Sequence, residues 1–449
     1  MMAKRNGIAE RPWWRIVGPL LAIGGSASVA VPAIGQVATS PQSSLGASTA
    51  LAATGQNGLL VTATAEALYD SNQLRSTDSL PLPAGTRRDD FRYSPVLSAI
   101  YGRNSGLISL SVNGLVGRDF FQYNRYLDRN QYLGGGSAVY HAGSSCQVGV
   151  MGNYASRQAG IRDTTASSVP IDTTTAMPAD DVGRVIDNVV TASTYGANAG
   201  CGSPTGRLTF GGNYAHSTIR NGSAIRNFGD SDADTFAGNI GLGILRPGQL
   251  SLNGSYTTIG YPTRGSNVLV PALLLNTGVK TYRIGLSFSR PIGTKLSGSI
   301  GASYLRSDPS GGQAAYSSPA YNIGLNYIPS SRLSFGLSGS RDIVPSTTAG
   351  ALFRVVDLLE LSGQYSLGTS IKLTANAGFI GNNYKQSFAI PGEPARSSDT
   401  TANFGLGAIY SPRRLFDIAV HVDQSIRTSS PVAFNYSSTR AGITLAVHI

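Results

Sequence analysis

A short polar turn followed at once by an alternating segment recurs eight times along this chain, and no other feature limits its fold as tightly. The turns are Arg103-Asn104-Ser105-Gly106, Gly143-Ser144-Ser145, Ser203-Pro204-Thr205-Gly206-Arg207, Arg246-Pro247-Gly248, Pro291-Ile292-Gly293-Thr294, Pro329-Ser330-Ser331, Gly368-Thr369-Ser370 and Ser411-Pro412-Arg413-Arg414. Each is built from residues that fix turn dihedrals or tolerate left-handed ones. The flanking segments alternate with period two, the pattern of a sheet with one apolar and one polar face. Leu296, Gly298, Ile300, Ala302 and Tyr304 alternate with Ser297, Ser299, Gly301 and Ser303, and the series Leu333, Phe335, Leu337 and Ile371, Leu373, Ala375, Ala377, Phe379 repeat the pattern. Eight turns imply eight hairpins.

Adding a first strand near 58–70 and a last near 434–449 predicts an all-β fold, a transmembrane antiparallel up-and-down β-barrel of about 18 strands. A soluble sandwich or solenoid also alternates. Two features favour the barrel. The turns are short while the segments 159–185, 220–231, 260–278 and 384–397 are long and variable, the asymmetry of outer-membrane barrels. Tyr256, Tyr304, Tyr327, Tyr365 and Tyr410 lie near strand ends with apolar-face parity, as an interfacial girdle requires. Composition agrees: only 13% of residues are charged, against about 25% in soluble chains, and the 21 tyrosines and 55 glycines suit a wall with lipid on one side.

The N-terminus reads as an export signal. Lys4, Arg5, Arg11 and Arg15 precede the apolar, small-residue run Ile16–Gly35, with cleavage expected between Gly35 and Ala38. Gly24, Gly25, Ser26 and Ser28 dilute that run and argue against a membrane anchor. The expected organisation is a signal peptide at 1–38, a periplasmic N-terminal segment at 39–57 and the barrel at 58–449. With an even strand count, both termini are expected on the periplasmic side of a Gram-negative outer membrane. Roughly twenty residues between cleavage and the first strand are too few for a plug domain, which disfavours a plugged receptor.

Cys146 opens the strand after the second turn and Cys201 closes the next strand before the third, so antiparallel pairing places both near the turn side. Their face parity also agrees. Export to an oxidising compartment makes a disulfide the expected state, with two free thiols as the alternative. The four histidines (His141, His216, His421, His448) show no ligand spacing with either cysteine, so neither a metal nor another cofactor is expected. Neither a G-x-S-x-G elbow nor a phosphate-cradling loop occurs, and a barrel hydrolase is a minor reading. An adhesion scaffold is another. Nothing points to nucleic acid as a partner.

On parity, the inner face carries Thr62, Thr64, Glu66, Arg92, Asn113, Asn153, Arg283, Asn322, Asn326, Arg354, Glu360, Lys372, Asn376, Asp417, Asp423 and Arg440. Arg92, Arg283, Arg354, Lys372 and Arg440 outnumber the acids enough to suggest an anion-favouring wall, although pairing across strands with residues such as Glu360 is the plainer account. The stretch Asp119–Arg129, with Phe120, Phe121, Tyr123 and Tyr126 among Asp and Arg, could stack on sugar rings or form part of the outer girdle.

The signal, the strand count, the basic balance of +11 and the Gly/Ser/Tyr-rich hairpins resemble the β-barrel porins of exopolysaccharide gene clusters, including those of sphingan-type secretion. The resemblance implies a channel that exports an acidic, anionic polysaccharide beside a periplasmic polysaccharide-export protein, with outer-membrane lipid around it. The chain departs from the usual aromatic end, closing on Ala446-Val447-His448-Ile449. A general diffusion porin for small solutes is the alternative.

Overall fold

The structure is a computed structural model. It describes residues 57–449 apart from 78–81, 83, 84, 144, 159–187, 203–207, 223–226, 246–247, 265–276, 346–352, 386–396 and 414. The expected signal peptide, most of the N-terminal segment, parts of four turns and most of the long segments lie outside the described residues.

Eighteen strands are present: β1 (Gly58–Asp70), β2 (Asp90–Asn104), β3 (Ile108–Phe121), β4 (Arg129–Ala142), β5 (Cys146–Gln158), β6 (Val189–Gly202), β7 (Leu208–Asn221), β8 (Ser231–Leu245), β9 (Gly248–Gly260), β10 (Gly278–Ile292), β11 (Leu296–Pro309), β12 (Tyr316–Ser330), β13 (Leu333–Pro345), β14 (Phe353–Leu367), β15 (Ile371–Lys385), β16 (Ser398–Arg413), β17 (Phe416–Ser430) and β18 (Tyr436–His448). Each pairs antiparallel with its neighbours in sequence, and β1 also pairs with β18 from Thr62↔His448 to Asp70↔Arg440, so the sheet closes on itself. The last strand starts two residues later than its alternation suggests. Val432–Phe434 forms a 3-10 turn instead.

Eight connections fall where the sequence places the tight turns, and β1 begins and β18 ends on their side of the wall. Gly293 and Gly368 both have φ of 70° there. This left-handed conformation is open to glycine at little cost and strained for most other residues. The opposite side carries the remaining connections and is called the loop side below.

Alternation decides which way each side chain faces. Leu59, Val148, Phe210, Ile240, Ile284, Ile300, Leu361 and Leu406 are all exposed large apolar residues on one face. Such a surface is untenable in water and is what a bilayer requires. Tyr93 and Tyr101 on β2, and Tyr132 and Tyr140 on β4, stand eight residues apart on that face and are exposed. At about 3.4 Å per residue and a tilt near 40°, eight residues rise roughly 21 Å, close to the height of an outer-membrane apolar band. Beyond the loop-side aromatics the outward face turns ionic: Arg220–Asp232 at 2.8 Å, Arg306–Asp308 at 2.9 Å and Arg341–Asp357 at 2.7 Å. Charges cost least at that depth.

Eighteen strands about 4.8 Å apart and tilted about 40° enclose a cylinder roughly 36 Å across between backbones, wide enough for an aqueous lumen.

Candidate functional site: the inner wall

Within the ring, polar side chains fall into two arcs. One is centred on β13–β18 and β1–β3 and carries most of the inward charges. Arg92 reaches Glu66 across the β1–β2 pair at 2.8 Å and approaches Asp119 of β3 at 3.9 Å. Ser94 donates to the same Asp119 at 2.5 Å. On the far side of β1, Asp70 accepts two bonds from Arg75, at 3.0 and 2.7 Å, and one from Ser438 at 2.7 Å. Arg440 lies opposite Asp70 on β1 and opposite Asp423 on β17. Asp399 of β16 gathers Tyr384 at 2.7 Å, Arg427 at 2.6 Å and Asn382 at 2.8 Å. Arg354 donates to that Asn382 at 3.3 Å. Arg283 of β10 meets Asp342 of β13 at 2.5 Å, spanning two intervening strands.

The inward basic residues therefore differ in what they offer a solute. Arg92, Arg283, Arg354 and Arg440 stand among acids and amides of their own wall. Lys372 is exposed on the inner face, one residue into β15 from its turn. Glu360 is half-buried and accepts a long bond from Ser338 at 3.5 Å. Alternation shows which residues share a face, but it does not show which charges cancel.

The second arc is neutral. Among the described residues, β6–β9, β11 and β12 carry no Asp, Glu, Lys or Arg on the inner face. Asn198, Asn213, Asn239 and Asn253 occupy it on four consecutive strands, each four to six residues from the turn end of its strand. Asn113, Asn326 and Asn376 stand at the same height on β3, β12 and β15. Asn153 and Asn322 lie slightly further toward the loop side. Glycines let these amides lie flat: a Cβ on Gly149 would stand 2.6 Å from Asn198 Oδ1, and one on Gly135 would stand 3.1 Å from Asn113 Oδ1.

Two connections on the loop side fold onto the inner wall. Asn72, Gln73, Arg75 and Ser76 follow β1 and are buried. The Asn72 amide donates to Ser76 O at 2.8 Å and Ser437 O at 3.1 Å, and Leu74 packs with Phe121 and Leu127. Tyr261, the first residue after β9, packs with Val279, Leu305 and Ala320, which share the inner parity of their strands. Arg264 lies over its ring, 3.4 Å from the centroid. Burial holds the Arg264 guanidinium below its ordinary range and pushes the Tyr261 phenol up.

The aromatic stretch after β3 does not form one stacking platform. Phe120 is exposed on the outer face, Phe121 is buried inside with Leu127, and Tyr123 lies under Arg87 at 4.0 Å. Alternation separates the two phenylalanines, which are adjacent in sequence.

At the turn side, two contacts escaped sequence reasoning. Thr62 Oγ1 is 3.2 Å from His448 Nδ1, and His448 Nε2 is 3.0 Å from Asp417 Oδ2. The line has the order of a catalytic triad, but Thr62 is only 4% exposed and lies within the β1–β18 ladder. Its chemistry is that of a clasp on the seam. Cys146 and Cys201 stand directly opposite on β5 and β6 with Cα atoms 4.0 Å apart and sulfurs joined at 2.13 Å. Their parity puts the bridge on the outer face, with Val148 and Tyr195.

No family model and no curated protein matches the chain. Among solved structures, OccK5 (OpdH) of Pseudomonas aeruginosa is similar over 87% of this chain and 98% of its own, at 12% identity and a TM-score of 0.43. OccK2 (OpdF) of Pseudomonas aeruginosa, in complex with glucuronate, is similar over 88% and 100%, at 9% identity and a TM-score of 0.46. The siderophore receptor PirA of Acinetobacter baumannii is similar over 88% and 81%, at 8% identity and a TM-score of 0.42. At such identities and scores, the reading of this wall as an outer-membrane-type barrel rests on its own pairing and parity.

Proposed function

We propose that the protein is a diffusion porin that lets small polar solutes cross the outer membrane, its termini and tight turns on the periplasmic side after removal of residues 1–38. The observation that carries this reading is the division between the faces: a continuous apolar exterior around a closed wall whose interior is hydroxyl, amide and internally matched charge. A wall of this kind holds water, and most of its fixed charges are spent on each other. Reconstituted barrel should give stable ohmic steps in a planar bilayer and should swell liposomes loaded with small sugars or amino acids. Folded barrel that inserts but conducts nothing overturns the reading.

Export of an acidic polymer, which the sequence resemblance implied, calls for a basic track along the lumen. Pairing of Arg92 with Glu66 and of Arg283 with Asp342 removes much of that track, so the small-solute reading takes precedence. In the diffusion reading Lys372 gives a slight preference for anions.

A further inference from the structure

We infer that the turn-side rim of the outer face binds anionic phospholipids, with Arg103, Arg290, Lys295 and Arg332 as the contacts for their headgroup phosphates. The inference rests on the porin reading and deepens it by naming a lipid class. Every tight turn except Gly143-Ser144-Ser145 carries an arginine or lysine in or beside it. Among the described residues, Asp417 is the only acid within three residues of a turn-side strand end, and it has inner parity and lies 3.0 Å from His448 Nε2. The side chains of Arg103, Arg290, Lys295 and Arg332 are exposed and have no partner in the chain. The loop side is the opposite case: its outward Arg220, Arg306 and Arg341 each hold a carboxylate.

Depth and direction identify the anion. Arg103 shares the outer parity of Tyr101 and stands two residues beyond it on β2, and Arg290 stands two residues beyond Phe288 on β10 in the same way. Two residues rise about 5 Å at roughly 3.4 Å per residue and a tilt near 40°. Lys295 O accepts from Ile328 N at 2.7 Å and Arg332 O from Ser366 N at 2.7 Å, so these two lie beside the positions that follow Tyr327 and Tyr365. The rim therefore sits just outside the aromatic row that marks the edge of the apolar band, at the height of lipid phosphates. Outward parity turns Arg103 and Arg290 away from the lumen, which favours a headgroup over a solute of the channel. A guanidinium offers phosphate paired donors, and an ammonium offers a compact charge. One basic residue near a membrane surface favours anionic over neutral lipid by roughly fivefold.

The test uses the whole mature barrel in phosphatidylcholine vesicles holding a trace of spin-labelled phosphatidylglycerol or, in parallel, spin-labelled phosphatidylcholine, and reads the fraction of each label immobilised by the protein. Averaged over the lipid shell, phosphatidylglycerol should be favoured about 1.5-fold or more at low salt, and roughly 1 M salt should remove the excess. Arg103→Gln/Arg290→Gln/Lys295→Gln/Arg332→Gln should remove it too, while Arg306→Gln/Asp308→Asn on the loop side should keep it. If the former variant does not fold, Arg290→Gln/Lys295→Gln should lose part of the excess. Equal immobilisation of the two labels by a barrel that conducts overturns the lipid site and leaves the porin reading standing. If that barrel, in detergent, is held on heparin through these residues, the rim belongs to a soluble polyanion instead. An excess kept in full by the rim variants also overturns the lipid site. A barrel that immobilises neither label is not in the bilayer, and both readings fall.

Discussion

Arg92 and Glu66 meet inside the barrel wall at 2.8 Å with only 1% of either side chain exposed. A pair this buried is costly to break from one side, because the survivor stays charged and loses its close opposite charge. Arg92→Met should destabilise the barrel by about 3–5 kcal/mol, while Arg92→Met with Glu66→Met should cost much less. The temperature at which the heat-modifiable gel band shifts reads this directly. Equal losses in the single and double variants would show that the pair is not the source.

The direction of the wall can be tested at two neighbouring residues. Ile300 is exposed on the outer face, and Ser299 has the inner parity of the same strand. Ile300→Arg should cost about 2–4 kcal/mol in folding into lipid, as an arginine on the lipid face near the midplane does. Ser299→Arg should fold almost as well as the parent and lower its conductance. The reverse ranking would invert the assignment of faces on β11.

Charge selection should be weak and should depend on Lys372. In a salt gradient the channel is expected to show a small anion preference that fades as added salt screens beyond about 10 Å at roughly 0.1 M. Lys372→Glu should move the reversal potential toward cations. Arg283→Glu should move it less per charge and destabilise the barrel more, because it sets two carboxylates together at Asp342. A larger selectivity shift from Arg283→Glu would mean that its pairing leaves it open to solutes.

The Cys146–Cys201 bridge gives a fourth expectation. Unfolded mature protein should run faster without reductant than with it. The two residues are 55 apart in sequence, and a crosslink closing such a loop is worth about 4 kcal/mol in the chain-entropy account. Reduction, or Cys146→Ser/Cys201→Ser, should lower the unfolding temperature accordingly. Labelling of both thiols in the native barrel would remove the bridge from this picture.

Much of the fold was legible because turn and strand are local properties. Pro291-Ile292-Gly293-Thr294 and the alternation after it set out β10 and β11 without any distant partner. Parity likewise groups Arg283, Arg354 and Arg440 with the polar residues of their strands. Their partners were not legible, since they depend on register and on contacts that skip strands: Arg283 finds Asp342 three strands away. The Thr62–His448–Asp417 line was hidden for the same reason, as its members come from opposite ends of the chain. The amides were present in plain sequence as Asn113, Asn326 and Asn376, but only the strand bounds show that they share one height.

The seam between β1 and β18 also bears on how the molecule comes into being. Every other ladder joins strands adjacent in sequence, so it can form as soon as its hairpin exists, whereas Thr62 and His448 are 386 residues apart. Until those two strands meet, the wall is an open sheet with two bare edges, each offering unpaired amides and carbonyls to any other strand. Inside hydrocarbon such edges cannot be satisfied. Assembly is therefore all-or-none at its last step: a chain that has made every hairpin but lacks β18 is still an aggregation template, and only the final strand turns it into a membrane protein.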